Sequence, residues 1–105
     1  MAPTATLAHP TREDLRLVDV LHALGHPIRL QIVRELATAQ EEVFCGDVGV
    51  DVPKSTLTSH WRILREAGVL RQRPDGRKLY LTLRRDDLEE RFPGLLAVVL
   101  GEGSQ

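Results

Sequence analysis

Lys54-Ser-Thr-Leu-Thr-Ser-His-Trp-Arg-Ile-Leu-Arg-Glu-Ala-Gly68 runs directly into Val69-Leu-Arg-Gln-Arg-Pro-Asp-Gly-Arg-Lys-Leu-Tyr-Leu-Thr-Leu83. In the first segment Leu57, Trp61 and Leu64 recur at i, i+4 and i+7, the spacing of one buried helical stripe. Ser55, Thr56, Ser59 and Arg62 fall on the opposite side, with Thr58 and His60 flanking them. Gly68 stands where a helix ends in a left-handed residue. The second segment alternates as two strands around Pro74-Asp75-Gly76, with Leu79, Leu81 and Leu83 on one face and Tyr80 on the other. A helix fits the DNA major groove, and a basic hairpin can hold the flanking phosphates. Helix followed by hairpin is the winged helix-turn-helix order. The expected fold is therefore mainly α with a β-hairpin wing, and it points to sequence-specific DNA binding rather than catalysis.

The formal net charge of the chain is −1, which taken alone argues against a polyanionic partner. The distribution reverses that argument. Lys54, Arg62, Arg65, Arg71, Arg73, Arg77, Lys78, Arg84 and Arg85 face only Glu66 and Asp75 within residues 54–85, a local +7 against −8 in the remainder. A polyanion responds to the local field, not to the total. The plain alternative is a solvated basic surface, and the helix-then-hairpin pattern makes it the weaker reading.

A chain of 105 residues is one domain with one modest core, and a domain this size often gains from dimerisation. Aromatic residues are 4% of it, too few for a stacking platform for single-stranded nucleic acid. The longest wholly apolar run, Leu95 to Leu100, is far too short to span a membrane. Met1 to Pro10 lacks the charged start and long apolar middle of a signal peptide, so the expected compartment is the cytoplasm. The single cysteine, Cys45, excludes an internal disulfide.

Residues 1–10, with two prolines, read as a mobile arm, residues 11–100 as the folded domain and residues 101–105 as a frayed tail. Thr11 is the expected cap of a first helix running to about Leu24, broken by Gly25-His26-Pro27. That helix is apolar over more than one stripe. A second helix carries Ile28, Leu30, Ile32, Val33, Leu36 and Ala37 and ends near residues 38–40. Glu41 to Phe44 suits a short edge strand. Cys45 to Val50 should be the first helix of the helix-turn-helix, but Gly46 and Gly49 predict a short or distorted turn. Asp86 to Glu89 reads as a capping box opening a last helix that Pro93-Gly94 interrupts. Leu95 to Leu100 is apolar almost all round and needs a cover. The first and last helices therefore form the expected dimer interface, through Leu15, Val18, Leu95, Leu96 and Val99.

Leu21-His-Ala-Leu-Gly-His-Pro-Ile-Arg-Leu-Gln-Ile-Val33 and Ser55-Thr-Leu-Thr-Ser-His-Trp-Arg-Ile-Leu-Arg-Glu-Ala-Gly-Val69 resemble two motifs of the ArsR/SmtB family of bacterial winged-helix repressors. The forms are Leu-x-x-Leu-x-x-Pro-x-Arg-Leu-x-Ile-Leu and Ser-Thr-x-Ser-x-His-Leu-x-x-Leu-x-x-Ala-Gly-Leu. Thr58 stands at the family serine, Ser59 is one place off it, and Trp61 replaces a leucine. The wing matches only approximately. The similarity covers roughly residues 15–100. It implies a homodimer that binds a palindromic operator and is released by a signal.

The family's metal-sensing members carry Cys-x-Cys where this chain has Phe44-Cys45-Gly46, and one thiolate does not make a tight soft-metal site. From Asp86 onward there are carboxylates but no histidine. Neither a metal nor another cofactor is therefore expected. His22 and His26 have metal-ligand spacing, but Gly25 ends the helix between them, so surface and capping roles are the better reading. Cys45 reads as a buried small hydrophobe before a redox sensor. Arg29 is open between a phosphate contact and a structural pairing. His60 is open between a DNA contact and a backbone-bonded surface residue, with the resemblance favouring DNA. Ser59 and His60 point apart on a helix and make no nucleophile–base pair.

The expected assignment gives base reading to Ser55, Thr56, Ser59 and His60, with Thr58 beside them. Phosphate or minor-groove contacts go to Lys54, Arg62, Arg71, Arg73, Arg77 and Lys78. The partner is double-stranded DNA. A protein-interaction module with a basic face is the alternative, and an unknown small-molecule effector in an apolar pocket between the first and last helices is compatible with the DNA-binding reading.

Overall fold

A computed structural model describes residues 8–39 and 41–101. The first seven residues of the expected arm and residues 102–105 of the expected tail lie outside the described residues. The elements in order are α1 (Leu17–Leu24), α2 (Pro27–Thr38), β1 (Val43–Phe44), α3 (Lys54–Ala67), β2 (Leu70–Asp75), β3 (Lys78–Leu83), α4 (Arg85–Arg91) and α5 (Leu95–Val99). The three strands form one antiparallel sheet in the order β1-β3-β2, with Val43 opposite Leu81 and Gln72 opposite Leu81 from the other side.

The apolar stripe of α3 sets the core. Trp61 and Leu64 are buried there with Val20 and Ala23 of α1, Ile32, Val33 and Leu36 of α2, and Leu70, Leu81 and Leu83 of the sheet. Residues four apart on a helix share a face, and alternate residues on a strand do the same. The two periods therefore converge on a single core. Gly68 closes α3 at φ +87°, and its amide bonds back to Arg65 while Val69 bonds to Leu64. The conformation is the left-handed one glycine enters without a Cβ penalty.

The start of the chain departs from the single first helix that the sequence suggested. Arg12–Asp14 form one 3-10 turn, Leu15 and Arg16 are extended, and α1 begins only at Leu17. Thr11 makes no side-chain cap. The reason is Leu15, which turns inward at 2% exposure and packs against the backbone of Gly68. The end of the expected arm is held too. The Gln72 amide donates to His9 Nε2 at 3.0 Å, and Arg84 donates to the Pro10 carbonyl at 2.7 Å. The free edge of β2 thus spends one amide on His9 and lacks another at Pro74, which protects it from pairing with another chain.

Cys45–Val50 was expected to be short or distorted, and it contains only a 3-10 turn, Cys45–Asp47. The hairpin turns at Gly76-Arg77, one step later than expected, because Pro74 and Asp75 still pair with Leu79 and Lys78. Gly76 takes φ +65°, as the first residue of a two-residue hairpin turn requires. At the far end, α4 is not opened by a side-chain cap. Arg84 is the N-cap, and Asp86 and Asp87 lie in the first turn.

Two residues of the expected subunit interface are internal to the chain. Leu15 and Leu96, at 2% and 3% exposure, are already covered by their own chain. Val18 is 61% exposed, and Leu95 and Val99 are half-buried. Among the described residues, the large apolar side chains left in solvent are Leu17, Val18 and Leu21 on α1 and Val98 on α5.

Candidate nucleic-acid interface

The N-terminal half of α3 presents a strip of short polar groups. Lys54, Ser55, Thr56, Thr58, Ser59 and Arg62 are all exposed, because the stripe of Trp61 and Leu64 pins the other side to the core. Thr58 Oγ1 donates back to the Lys54 carbonyl at 3.1 Å, which fixes its rotamer and leaves its lone pairs outward. The first turn carries no acid and no side-chain cap. Its free amides and the positive end of the helix dipole face whatever approaches, a setting that favours phosphate.

His60 does not belong to that strip. It is 8% exposed and faces inward, with Nδ1 3.2 Å from an Arg29 terminal nitrogen and its ring 4.6 Å from the His26 ring. Arg29, at 7% exposure, also donates from Nε to the Ala23 carbonyl at 2.6 Å and from its other terminal nitrogen to the His22 carbonyl at 3.3 Å. It therefore satisfies the last carbonyls of α1, where a cation is favoured by the helix dipole. Burial, then the neighbouring His26 and Arg29, hold the His60 imidazole below the usual histidine range. His26 caps α2, its Nδ1 accepting the Ile28 amide at 3.1 Å.

The wing cations divide into three kinds. Arg77 sits at the exposed tip. Lys78 lies over the Phe44 ring at 5.4 Å. Arg73 crosses the Tyr80 ring and makes a two-pronged ion pair with Glu42, at 2.7 and 2.8 Å. That pair holds the Glu42 carboxyl below its ordinary range. Arg71 stands at the base of the hairpin, 3.7 Å from Asp87, which also accepts from Arg12 at 2.7 Å and from Arg84 at 2.8 Å. Burial pushes the Asp87 carboxyl up, but the bonds from Arg12 and Arg84 outweigh it and leave the group below its ordinary value.

This geometry is an exposed helix face beside a basic hairpin tip. A family profile described as a helix-turn-helix domain matches residues 24–73, from the end of α1 into β2. The chain is 36% identical over 86 residues to an uncharacterised HTH-type transcriptional regulator, YceK, of Bacillus subtilis, covering 80% of this chain and 86% of that protein. The chain belongs to the helix-turn-helix transcriptional regulators.

Further similarities surround this regulator. It is 28% identical over 83 residues to the biofilm growth-associated repressor of Xylella fastidiosa, covering 74% of this chain and 73% of that one. The fold is shared with the crystal structure of the transcriptional repressor BigR from Xylella fastidiosa. That match has TM-score 0.58 and 24% identity, over 72% of this chain and 85% of the other. It is shared also with the crystal structure of an ArsR family transcriptional regulator, at TM-score 0.65 and 16% identity, over 93% and 99%. The winged architecture expected from the two motifs is thus the architecture of the regulator.

Of the expected DNA-binding set, α3 brings Lys54, Ser55, Thr56, Thr58, Ser59 and Arg62 onto one exposed face, and the tip adds Arg77 and Lys78. Arg73 and Arg71 are engaged by carboxylates, and His60 is internal. Sequence reasoning passed over Glu42 and Asp87. The available signal was charge alternation across the hairpin, and it does not say which carboxylate reaches which arginine.

Proposed function

We propose that this regulator is a homodimeric repressor whose two α3 helices enter successive major grooves of a palindromic operator, about one helical turn (~34 Å) apart. The single observation that carries this reading is the exposed hydroxyl-and-cation face of α3 beside the Arg77 tip. Ser55, Thr56 and Ser59 read base edges there, with Thr58 held beside them. Lys54, Arg62, Arg77 and Lys78 hold phosphates. Repression is supported by the similarity to proteins named as repressors. Pairing of two chains is supported by the apolar face that Leu17, Val18 and Leu21 leave in solvent. The releasing signal is read as other than a soft metal, since Cys45 is the only thiol.

The test is fluorescence anisotropy of the protein on duplex DNA from upstream of its own gene against a scrambled duplex at physiological salt. A preference of about a thousandfold or more is the expected result. Equal binding to both duplexes rejects that segment as the operator, and no binding at low salt rejects the DNA-facing assignment of α3.

A further inference from the structure

The corner between α1 and α2 meets α3 through three basic side chains, none of them paired with a carboxylate among the described residues. Arg29 comes from α2, His26 from the residue before it, and His60 from α3. α1 contributes the carbonyl oxygens of His22 and Ala23, and farther along the α1–α3 seam Asp19 and His22 line a surface hollow with Glu66 of α3. Neither Arg29 nor His60 forms an ion pair with an acid among the described residues. Such a cluster is stable with one positive charge and strained with two, because like charges at this range in a low-dielectric site repel strongly.

Hydrogen-bond chemistry decides where the one charge sits. A guanidinium has only donors. His60 Nδ1, 3.2 Å from Arg29, must therefore accept, which leaves the ring neutral with its proton on Nε2. His26 Nδ1 accepts in the same way from the Ile28 amide. Protonating His60 removes the acceptor, turns Nδ1 into a donor aimed at another donor, and puts a second cation against Arg29 and His26. The strain falls on α3 at the residue that follows Ser59.

We infer that His60 is a positioning residue: as a neutral acceptor it ties α3 to the α1–α2 corner through Arg29, and its protonation loosens that tie, so that operator binding weakens on acidification. This deepens the operator-binding reading and rests on it. The histidine value lowered by burial fits the geometry. It also gives the sign for stability. The unfolded imidazole takes its proton near the ordinary value of 6.5 and the folded one does so lower. Stability is therefore full above that ordinary value and declines as pH falls through it toward the folded value.

The test compares wild type with His60→Asn, whose side-chain oxygen offers an acceptor near the Nδ1 position and does not titrate. Anisotropy on the preferred duplex is read at pH 7.5 and pH 5.5 at constant ionic strength, with circular dichroism confirming folding at both. The expected result is a loss of about tenfold or more for wild type, with His60→Asn close to wild type at the higher pH and flat between the two. That factor corresponds to about 1.4 kcal/mol. A flat wild-type profile, or an equal fall in His60→Asn, overturns the proposal. NMR of the imidazole nitrogens tests the same tie without DNA. The expected signal is an Nε2–H tautomer that titrates below the ordinary histidine value, and an Nδ1–H tautomer overturns the geometry even if no operator is found.

Discussion

At Gly68 two demands meet on one residue. Its φ of +87° is left-handed, and a Cβ there would collide with Leu15 Cδ2 and press on Pro10 at 3.2 Å. A non-glycine residue in this conformation costs about 1–2 kcal/mol, and overpacking a core position adds about 1–3 kcal/mol. Gly68→Ala should therefore lower stability by about 2–5 kcal/mol in denaturant titration, against about 1–2 kcal/mol for Gly94→Ala, which shares the left-handed conformation at φ +88° but has open space around a Cβ. Equal losses at the two sites would show that the Leu15 contact is immaterial. Gly68 was legible in the sequence because a helix end is a local signal. His60 was not. Its partner Arg29 lies 31 positions away, as Glu42 does from Arg73, and a helical period records which side a residue is on but not what meets it. On the helical wheel His60 flanks the polar strip. Only the approach of the α1–α2 corner turns that flank into interior.

The elements show the same division between local and distant causes. The hairpin, the short turn after Cys45 and the helix ending at Gly68 follow from alternation, glycine content and a positive-φ residue, all written within a few positions. The late start of α1 does not, because Leu15 is drawn inward by a helix end more than fifty positions on. The wing illustrates the consequence for function. Arg77 at the tip has no acid partner among the described residues, whereas Arg73 already satisfies a two-pronged bond with Glu42. Each phosphate neutralised contributes about 0.9 to the slope of log affinity against log salt. Arg77→Ala should therefore flatten that slope by about one unit while weakening binding to all duplexes alike. Arg73→Ala should change it by clearly less. Salt titrations of the two variants on one duplex check this, and a larger change for Arg73 would mean that DNA displaces Glu42.

For the whole molecule, the apolar surface that matters is what the core failed to cover. Leu15 and Leu96 were consumed by the chain's own packing, which moves the expected interface outward to Leu17, Val18 and Leu21 on α1, with Val98 on α5. Residues 17, 18 and 21 share one side of α1 because three and four positions make a helical turn. Val18 is 61% exposed, so replacing it leaves the interior untouched. Val18→Glu should keep the circular dichroism of a folded chain yet shift sedimentation from dimer to monomer. Operator affinity should fall about a hundredfold or more, since two linked half-site contacts gain that much over one. The fall should be confined to duplexes holding both half-sites, because a single half-site engages one α3 in either form. A variant that remains dimeric would place the subunit contact away from α1. A monomeric wild type that already binds its duplex tightly would remove the need for a palindrome, and the exposed face of α1 would then have to be read apart from DNA recognition.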